Sequence, residues 1–241
     1  MSVSEFVGSV AKIVGDDGVK GAIVLVALER PVDCLIQRCL GLSCYHPGKP
    51  SPFSHTFLIS GSYNGQYTPI LDCTIRDKND RIAWKLPLID SILAIINKRG
   101  RVYSAQLGDY DDHRVHPVGV KLIPELTNAD RERIVTAGLD LQALGTHYDF
   151  LGLFRELIAM LLHIQLPADK DMFCSAFCQG AYRNGIGDKG DFLPGVDFHD
   201  VSPDDIWFSR TGANYPDTMP IPNSRDLCPG SILLGSGPLL D

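Results

Sequence analysis

The segment DMFCSAFCQGAYRNG, residues 171–185, constrains the fold more than any other part of the chain, because its spacing predicts a helix that begins at a cysteine. Apolar residues follow Cys174 at the third, fourth, seventh and eighth positions, a stripe that a core must cover. These residues are Phe177, Cys178, Ala181 and Tyr182. Asn184-Gly185 predicts the end of the helix, since glycine often terminates helices in the left-handed conformation.

Cys174 lies where a nucleophile would be favoured. A helix N-terminus carries unpaired backbone N–H groups and the positive end of the helix dipole, which stabilise a thiolate and can bind an oxyanion. An alternative interpretation is that Cys174 and Cys178 are two small core residues, because free cysteine is among the most buried residue types. The spacing alone leaves both interpretations open.

The composition is ordinary for a globular protein. The chain has 241 residues, of which 44% are hydrophobic and 21% charged, which fits one domain or a large domain with an appendage. With a net charge of −7 and no Lys/Arg run, we expect no nucleic-acid partner. Seven cysteines, an odd number without framework-like spacing, indicate reduced thiols and not a disulfide scaffold.

The N-terminal sequence MSVSEFVGSVAKIVGDDG lacks a basic region followed by a long apolar run, so we expect no secretory signal and synthesis in the cytoplasm. Export by a specialised secretion system stays open, because such systems need no signal of this kind. We also expect no stable membrane insertion. The apolar segment 146–167 contains Arg155, Glu156 and His163 and is too short and too charged to span a bilayer.

No metal ion or cofactor is expected. Cys34, Cys39, Cys44 and His46 form a candidate zinc cluster, but their five-residue steps miss the usual ligand gaps of two to four residues. The chain also contains no glycine-rich phosphate loop.

Local patterns predict helices and strands along most of the chain. Strands are predicted at 21–28, 54–60, 67–74 and around 118–122, and helices at 3–14, 88–98, 128–144 and 150–166. The first helix should bury Phe6, Val10, Ile13 and Val14. The helix capped by Asn128 should bury Ile134, Leu141 and Leu144. Residues beyond the Cys174 helix are predicted to be rich in loops.

The dipeptide Asn64-Gly65 predicts a β-hairpin with a two-residue type I′ turn between the strands 54–60 and 67–74. This register places Phe57 opposite Asp72. Because residues two apart on a strand share a face, His55 and Asp72 should be diagonal neighbours on one face, about 7–8 Å apart between backbones.

A histidine and a carboxylate placed in this way can form the base and the orienting residue of a triad whose nucleophile is Cys174. The alternative is a solvated histidine and an exposed aspartate on a hairpin. Aspartate is disfavoured in strands, however, and Asp72 lies between Leu71 and Cys73 in an otherwise apolar run. We therefore expect His55 and Asp72 to have a role in chemistry.

The order of motifs GAIVLV, SHTFLISG, ILDCT, YDFLGL, FCSAFC and SPDDIW resembles the circularly permuted branch of the NlpC-type cysteine peptidase superfamily. That branch includes YiiX-like hydrolases and lecithin:retinol acyltransferase-like enzymes. The resemblance implies an α+β, papain-like fold with an antiparallel sheet packed against helices, including the nucleophile helix. It implies a single domain over 1–241, with a catalytic core of about 21–209, the helix 3–14 and a loop-rich tail over 210–241.

The resemblance also implies roles for individual residues. Cys174 matches the nucleophile, His55 the base, and Asp72 the polar third residue on the following strand. The backbone N–H of Cys174 is one candidate donor to an oxyanion. Tyr148 and Ser175 are further candidates for binding the oxyanion or the substrate.

The function implied is a cysteine hydrolase that cleaves an amide bond through a thioester. Its substrate would be cell-wall peptide or protein, and an exported antibacterial effector of this kind would have an immunity or secretion partner. One alternative is a thiol phospholipase or acyltransferase whose apolar helix, residues 150–166, lines an acyl pocket. Another is a binding module that has kept the fold and lost the chemistry.

Overall fold

The computed structural model describes residues 1–28, 33, 37, 51–75, 100–112, 114–145 and 173–216. These residues form an α+β fold with one six-stranded antiparallel sheet and four α-helices. The predicted α+β class and antiparallel sheet are confirmed. The predicted helices at 88–98 and 150–166 and the candidate zinc cluster lie outside this part of the chain. None of the helices that the structure describes is long and apolar enough to cross a bilayer.

The sheet has the strand order β4-β3-β2-β1-β5-β6, and every neighbouring pair is antiparallel. The strands are β1 Ile23–Leu28, β2 His55–Ile59, β3 Pro69–Ile75, β4 Gly100–Gln106, β5 Val115–Leu122 and β6 Ala213–Pro216. The helices are α1 Val3–Val14, α2 Asn128–Ala143, α3 Cys174–Ile186 and α4 Pro203–Phe208. Every residue of the central strands β1 and β2 is buried, as the continuous apolar run at 21–28 predicts for β1.

The sheet separates two hydrophobic clusters. On one face, α1 packs against Val24, Val26 and Phe57. On the other face, α2, α3 and α4 pack against Leu25 and Leu58. Because successive side chains of a strand point to opposite faces, a strand between two such layers must be apolar at almost every position.

Helix α1 has the predicted bounds, but only part of its predicted stripe is buried. Ser2 and Glu5 form a capping box that starts the helix. The buried apolar residues are Val3, Phe6, Val7, Val10 and Ala11. Ile13 is 70% exposed, so the prediction that it packs in the core is wrong. At about 100° of rotation per residue, Ile13 lies roughly 90° from the centre of the stripe.

The N-cap residue of helix α2 lies one position before the predicted one. Thr127, and not the predicted Asn128, is the N-cap residue, because its hydroxyl accepts the N–H of Asp130 while the Asp130 carboxylate accepts the N–H of Thr127. Ile134 is buried as predicted. Leu144 is 79% exposed, which contradicts its predicted burial, because it follows the last helical residue and points away from the core.

Helix α3 carries the predicted apolar stripe but continues past its predicted end. Its C-cap is Gly187, whose φ of +64° is a left-handed conformation. Gly185 lies inside the helix, where it lets α3 approach α2 closely. A Cβ at Gly185 would lie 2.7 Å from the Cα of Ile134, so only glycine fits this crossing.

The region after α3 is more regular than its sequence predicts. Ser202 caps α4, and Pro203 occupies the first helical turn, where its missing N–H has no cost. β6 then adds to the sheet at β5. A short helix and an edge strand therefore replace part of the expected loop.

The crossing of α2 and α3 predicts opposite effects for two glycines of the same helix. Gly185→Ala should lower the free energy of unfolding by about 1–3 kcal/mol, because the added methyl group meets backbone atoms that cannot move aside. At Gly180 an added Cβ has ordinary contacts of 3.4 Å, so Gly180→Ala should be neutral or stabilise by up to about 1 kcal/mol. Urea unfolding of both variants tests the difference, and equal effects would contradict it.

Candidate active site

The register of β2 and β3 is the one that Asn64-Gly65 predicts, because Leu58 pairs with Leu71. The predicted two-residue type I′ turn is wrong, since the last hydrogen bond between the strands runs from the N–H of Ser60 to the carbonyl oxygen of Pro69, and residues 61–68 form a longer loop beyond it. The register survives because this loop has an even number of residues and the same midpoint as the predicted turn.

Tertiary contacts hold this loop open. The Tyr63 hydroxyl donates to the carbonyl oxygen of Ser4 in α1 over 3.1 Å. The Tyr63 N–H donates to the carbonyl oxygen of Asp16, and the Gly108 N–H donates to that of Gln66. A tight turn would lose these long-range contacts, which no local preference for a turn type includes.

The ladder between β2 and β3 opens at the end where the predicted site residues lie. Its pairs extend only to Leu58 and Leu71, although β2 begins at His55 and β3 continues to Ile75. Over this stretch β2 stays paired with β1, and β3 stays paired with β4. The sheet therefore has a local gap beside His55, next to the N-terminus of α3.

His55 and Asp72 lie on one face and contact each other, as the hairpin register predicts. The Nε2 atom of His55 is 2.9 Å from the Oδ1 atom of Asp72. The His55 side chain is 7% exposed and that of Asp72 is fully buried. The alternative of a solvated histidine and an exposed aspartate is therefore wrong.

Cys174 is the first residue of α3, as predicted, and its side chain hydrogen-bonds to His55. Phe173 is the N-cap residue and provides no side-chain cap for the first turn. Cys174 belongs to the cluster on the α3 face of the sheet, whereas His55 shares the opposite face with Phe57. The gap in the ladder allows the thiol and the imidazole to meet.

The surroundings of Cys174 stabilise a thiolate. Burial alone would raise the pKa of the thiol, but the charge and hydrogen bond of His55 and two hydrogen bonds from Thr56 outweigh burial, so the pKa is lowered. One bond from Thr56 comes from its backbone and the other from its side chain. The backbone group is available because Thr56 lies where the β2–β3 ladder has opened.

The surroundings of His55 stabilise an imidazolium. Burial would lower the pKa of the ring, but the negative charges of Cys174 and Asp72 and the hydrogen bonds to both raise the pKa to about 10. Because Nε2 faces Asp72, Nδ1 is the ring nitrogen left for the thiol. At neutral pH the arrangement therefore favours a thiolate–imidazolium pair.

Cys178, one turn further along α3, has the opposite character. It is fully buried, and its Sγ atom is 3.7 Å from the Oγ1 atom of Thr56. Burial raises the pKa of Cys178 far above the ordinary value. The interpretation of the two cysteines as inert core residues therefore fits Cys178 and not Cys174.

Tyr110 also contacts the site, and no sequence pattern predicts it. Its hydroxyl donates to the Oδ2 atom of Asp72 over 2.7 Å and lies 3.0 Å from the Nε2 atom of His55. It comes from a 3₁₀ turn, Leu107–Tyr110, that follows β4. The long connection from β3 to β4 leaves their pairing undetermined by spacing, so only the folded chain brings Tyr110 to Asp72.

Of the two residues predicted to bind the oxyanion or the substrate, the structure describes only Ser175. Ser175 is buried in the first turn of α3, next to Cys174, and its role in binding an oxyanion stays a prediction. Tyr148 lies outside the described residues. Within the described ranges, no group of three or more His, Cys, Asp or Glu residues is placed to bind a metal ion.

No protein-family model, curated protein or solved structure matches this chain. The papain-like, NlpC-type resemblance therefore stays a prediction from the motifs. The geometry of Cys174, His55 and Asp72 is independent of that resemblance, and it supplies the physical basis for a function.

The pKa of Cys174 can be tested without a substrate. The rate at which iodoacetamide alkylates Cys174 should begin to fall at a lower pH than the rate of an ordinary thiol, which loses about tenfold for each unit below its pKa. His55→Gln should give Cys174 this ordinary dependence. Peptide mapping by mass spectrometry measures the rate at each cysteine.

A matched control is His199→Gln, because His199 forms a 2.7 Å pair with Asp197. This variant should leave the alkylation profile of Cys174 unchanged. Alkylation of Cys178 at the rate of Cys174, or an ordinary pH dependence in the unmodified protein, would contradict the thiolate–imidazolium pair.

Proposed function

We propose that this protein is a cysteine hydrolase that cleaves an amide bond through a thioester intermediate. Cys174 is the nucleophile, His55 the acid and base, and Asp72 the residue that orients His55. The observation that carries the proposal is the buried chain of contacts from Cys174 through His55 to Asp72. These contacts raise the pKa of the imidazole and lower that of the thiol, the two shifts that a thiol nucleophile requires.

The first half of the reaction acylates the enzyme. The Cys174 thiolate attacks the carbonyl carbon of the substrate, and the carbonyl oxygen becomes an oxyanion. The backbone N–H of Cys174, at the positive end of α3, is placed to donate to it. His55 then transfers the proton on Nδ1 to the leaving nitrogen, the C–N bond breaks, and an amine leaves the thioester.

The second half regenerates the enzyme. Water attacks the thioester carbon and gives a proton to Nδ1 of His55, which restores the imidazolium. The C–S bond breaks, the carboxylic acid product leaves, and Cys174 returns to the thiolate. The Asp72 carboxylate hydrogen-bonds to Nε2 of His55 in both halves of the reaction and stabilises the positive charge on the ring.

The charge state of His55 supports an amide substrate. An amide nitrogen is a poor leaving group unless it is protonated as the C–N bond breaks. An imidazole whose pKa is raised to about 10 already holds that proton at neutral pH. The alkoxide leaving group of an ester depends less on protonation by a general acid. A protonated His55 therefore contributes most to the cleavage of an amide.

The substrate class and setting follow from the motif resemblance. A papain-like, NlpC-type enzyme would act on cell-wall peptide or on protein. An exported antibacterial effector would also require an immunity or secretion partner. The phospholipase or acyltransferase alternative depends on residues 150–166, which lie outside the described part of the chain, and no described residue favours it.

The nucleophile is tested by a matched pair of substitutions in α3. Cys174→Ala should reduce turnover by on the order of 10⁴-fold or more, because it removes the attacking atom. Cys178→Ala should keep most activity and lower the free energy of unfolding by about 1–2 kcal/mol, because Cys178 is fully buried. Full activity in both variants would rule out the thiol mechanism.

The same proteins should be assayed in parallel on peptidoglycan fragments and on phospholipid vesicles. Release of peptide or amine that depends on Cys174 supports the amide hydrolase. Release of fatty acid that depends on Cys174 would replace it with the lipid enzyme, and no turnover despite fast alkylation of Cys174 would favour the binding module.

The charge on Asp72 predicts a change in the pH profile. Turnover requires the imidazolium, so it should fall as the pH rises through about 10, the pKa of His55. Asp72→Asn keeps the shape of the side chain but removes a charge that raises the pKa of His55. The alkaline limb of the pH–rate profile, where turnover falls, should therefore move to lower pH by about one unit or more. We expect turnover to drop by less than about 10⁴-fold, the loss in a serine-protease triad, because the ion pair forms before attack.

Rates measured between pH 5 and 11, with far-UV circular dichroism as a check on folding, test this prediction. An alkaline limb at the same pH in both proteins would show that Asp72 does not stabilise the imidazolium.

A further inference from the structure

We propose that Tyr110 is a positioning residue, which acts on His55 by holding the Asp72 carboxylate in the orientation that directs one oxygen at the ring. This inference rests on the proposed function. It adds a fourth residue, from a separate part of the chain, to the three that the sequence indicates.

The hydrogen-bond geometry assigns the direction of each bond. Tyr110 has a single hydroxyl hydrogen, and its bond to the Oδ2 atom of Asp72, at 2.7 Å, is the one in which it donates. The Nε2 atom of His55 therefore carries the proton that is shared with the Oδ1 atom of Asp72, at 2.9 Å, and with the Tyr110 oxygen, at 3.0 Å. Each carboxylate oxygen thus has its own donor.

Burial makes this second donor important. The Asp72 side chain is fully buried, and a buried carboxylate stays ionised only when hydrogen bonds and opposite charges replace water. His55 supplies one such partner and Tyr110 supplies another. Without the hydroxyl, the carboxylate would be free to rotate away from Nε2.

Ring packing fixes Tyr110 itself. Its ring stacks on Phe57, with centroids 4.4 Å apart and planes at 24°. It is also nearly parallel to the His55 ring, at 5.9 Å and 19°. Tyr110 is fully buried, so its hydroxyl is held in place before a substrate arrives.

The described titratable groups around His55 come from three elements. Asp72 faces it from β3, Cys174 from α3 and Tyr110 from the turn after β4. Cys73 and Cys178 lie near Cys174, and burial raises the pKa of each, so both stay neutral. A change in the titration of His55 therefore reports on Asp72, Cys174 or Tyr110.

The test is the titration of the His55 ring nitrogens, followed by ¹⁵N NMR and assigned by comparison with His55→Gln. Tyr110→Phe should lower the titration midpoint of His55 by on the order of one pH unit, because the carboxylate is less well aligned. Turnover should fall mainly in kcat. In the Asp72→Asn background the same substitution should cause a much smaller shift in the His55 midpoint. Tyr110 acts on His55 through the Asp72 carboxylate, which this background lacks.

Tyr182→Phe is the matched control. Tyr182 is also fully buried, and its hydroxyl donates to the carbonyl oxygen of Gly21. This variant should lose stability through an unpaired buried carbonyl but leave the titration of His55 unchanged. Equal effects of the two Tyr→Phe changes on the titration would reduce Tyr110 to a packing residue.

Failure of this inference is distinguishable from failure of the proposed function. An unchanged or raised midpoint in Tyr110→Phe, or an equal shift in the Asp72→Asn background, overturns the role of Tyr110 and leaves the triad intact. A His55 that already titrates near its ordinary value in the unmodified protein would instead remove the ion pair on which the proposed function depends.

Discussion

Three buried titratable side chains can remain charged only by facing one another, and the structure around Cys174, His55 and Asp72 is arranged to allow this. All three are almost inaccessible to water. A charge in such a place is costly unless opposite charges and hydrogen bonds replace its hydration. Thr56 donates to the thiol and Tyr110 donates to the carboxylate, so each anion has a hydrogen-bond donor besides the imidazolium.

The three-layer architecture explains how these groups meet. Cys174 lies on a helix that covers one face of the sheet, and His55 and Asp72 lie on the other face. A complete ladder between β2 and β3 would separate them. The opening of that ladder beyond Leu58 and Leu71 joins the two layers at one point and also frees the Thr56 backbone for the thiol.

The two cysteines of α3 show that surroundings, and not residue type, decide reactivity. Cys174 and Cys178 are one turn apart on the same buried face. Only Cys174 lies at the helix N-terminus within reach of His55, and only its pKa is lowered. The same helix thus carries one thiol whose pKa is lowered and one thiol that is an inert part of the hydrophobic core.

Local sequence patterns determined those features that depend on near neighbours. The bounds of α1, the start of α3 at Cys174 and the shared face of His55 and Asp72 all follow from periods of 3.6 and 2 along the chain. Tertiary structure alone decided the loop over 61–68, the packing role of Gly185, the opening of the ladder and the position of Tyr110. These features depend on contacts between residues far apart in the chain, which no local spacing encodes.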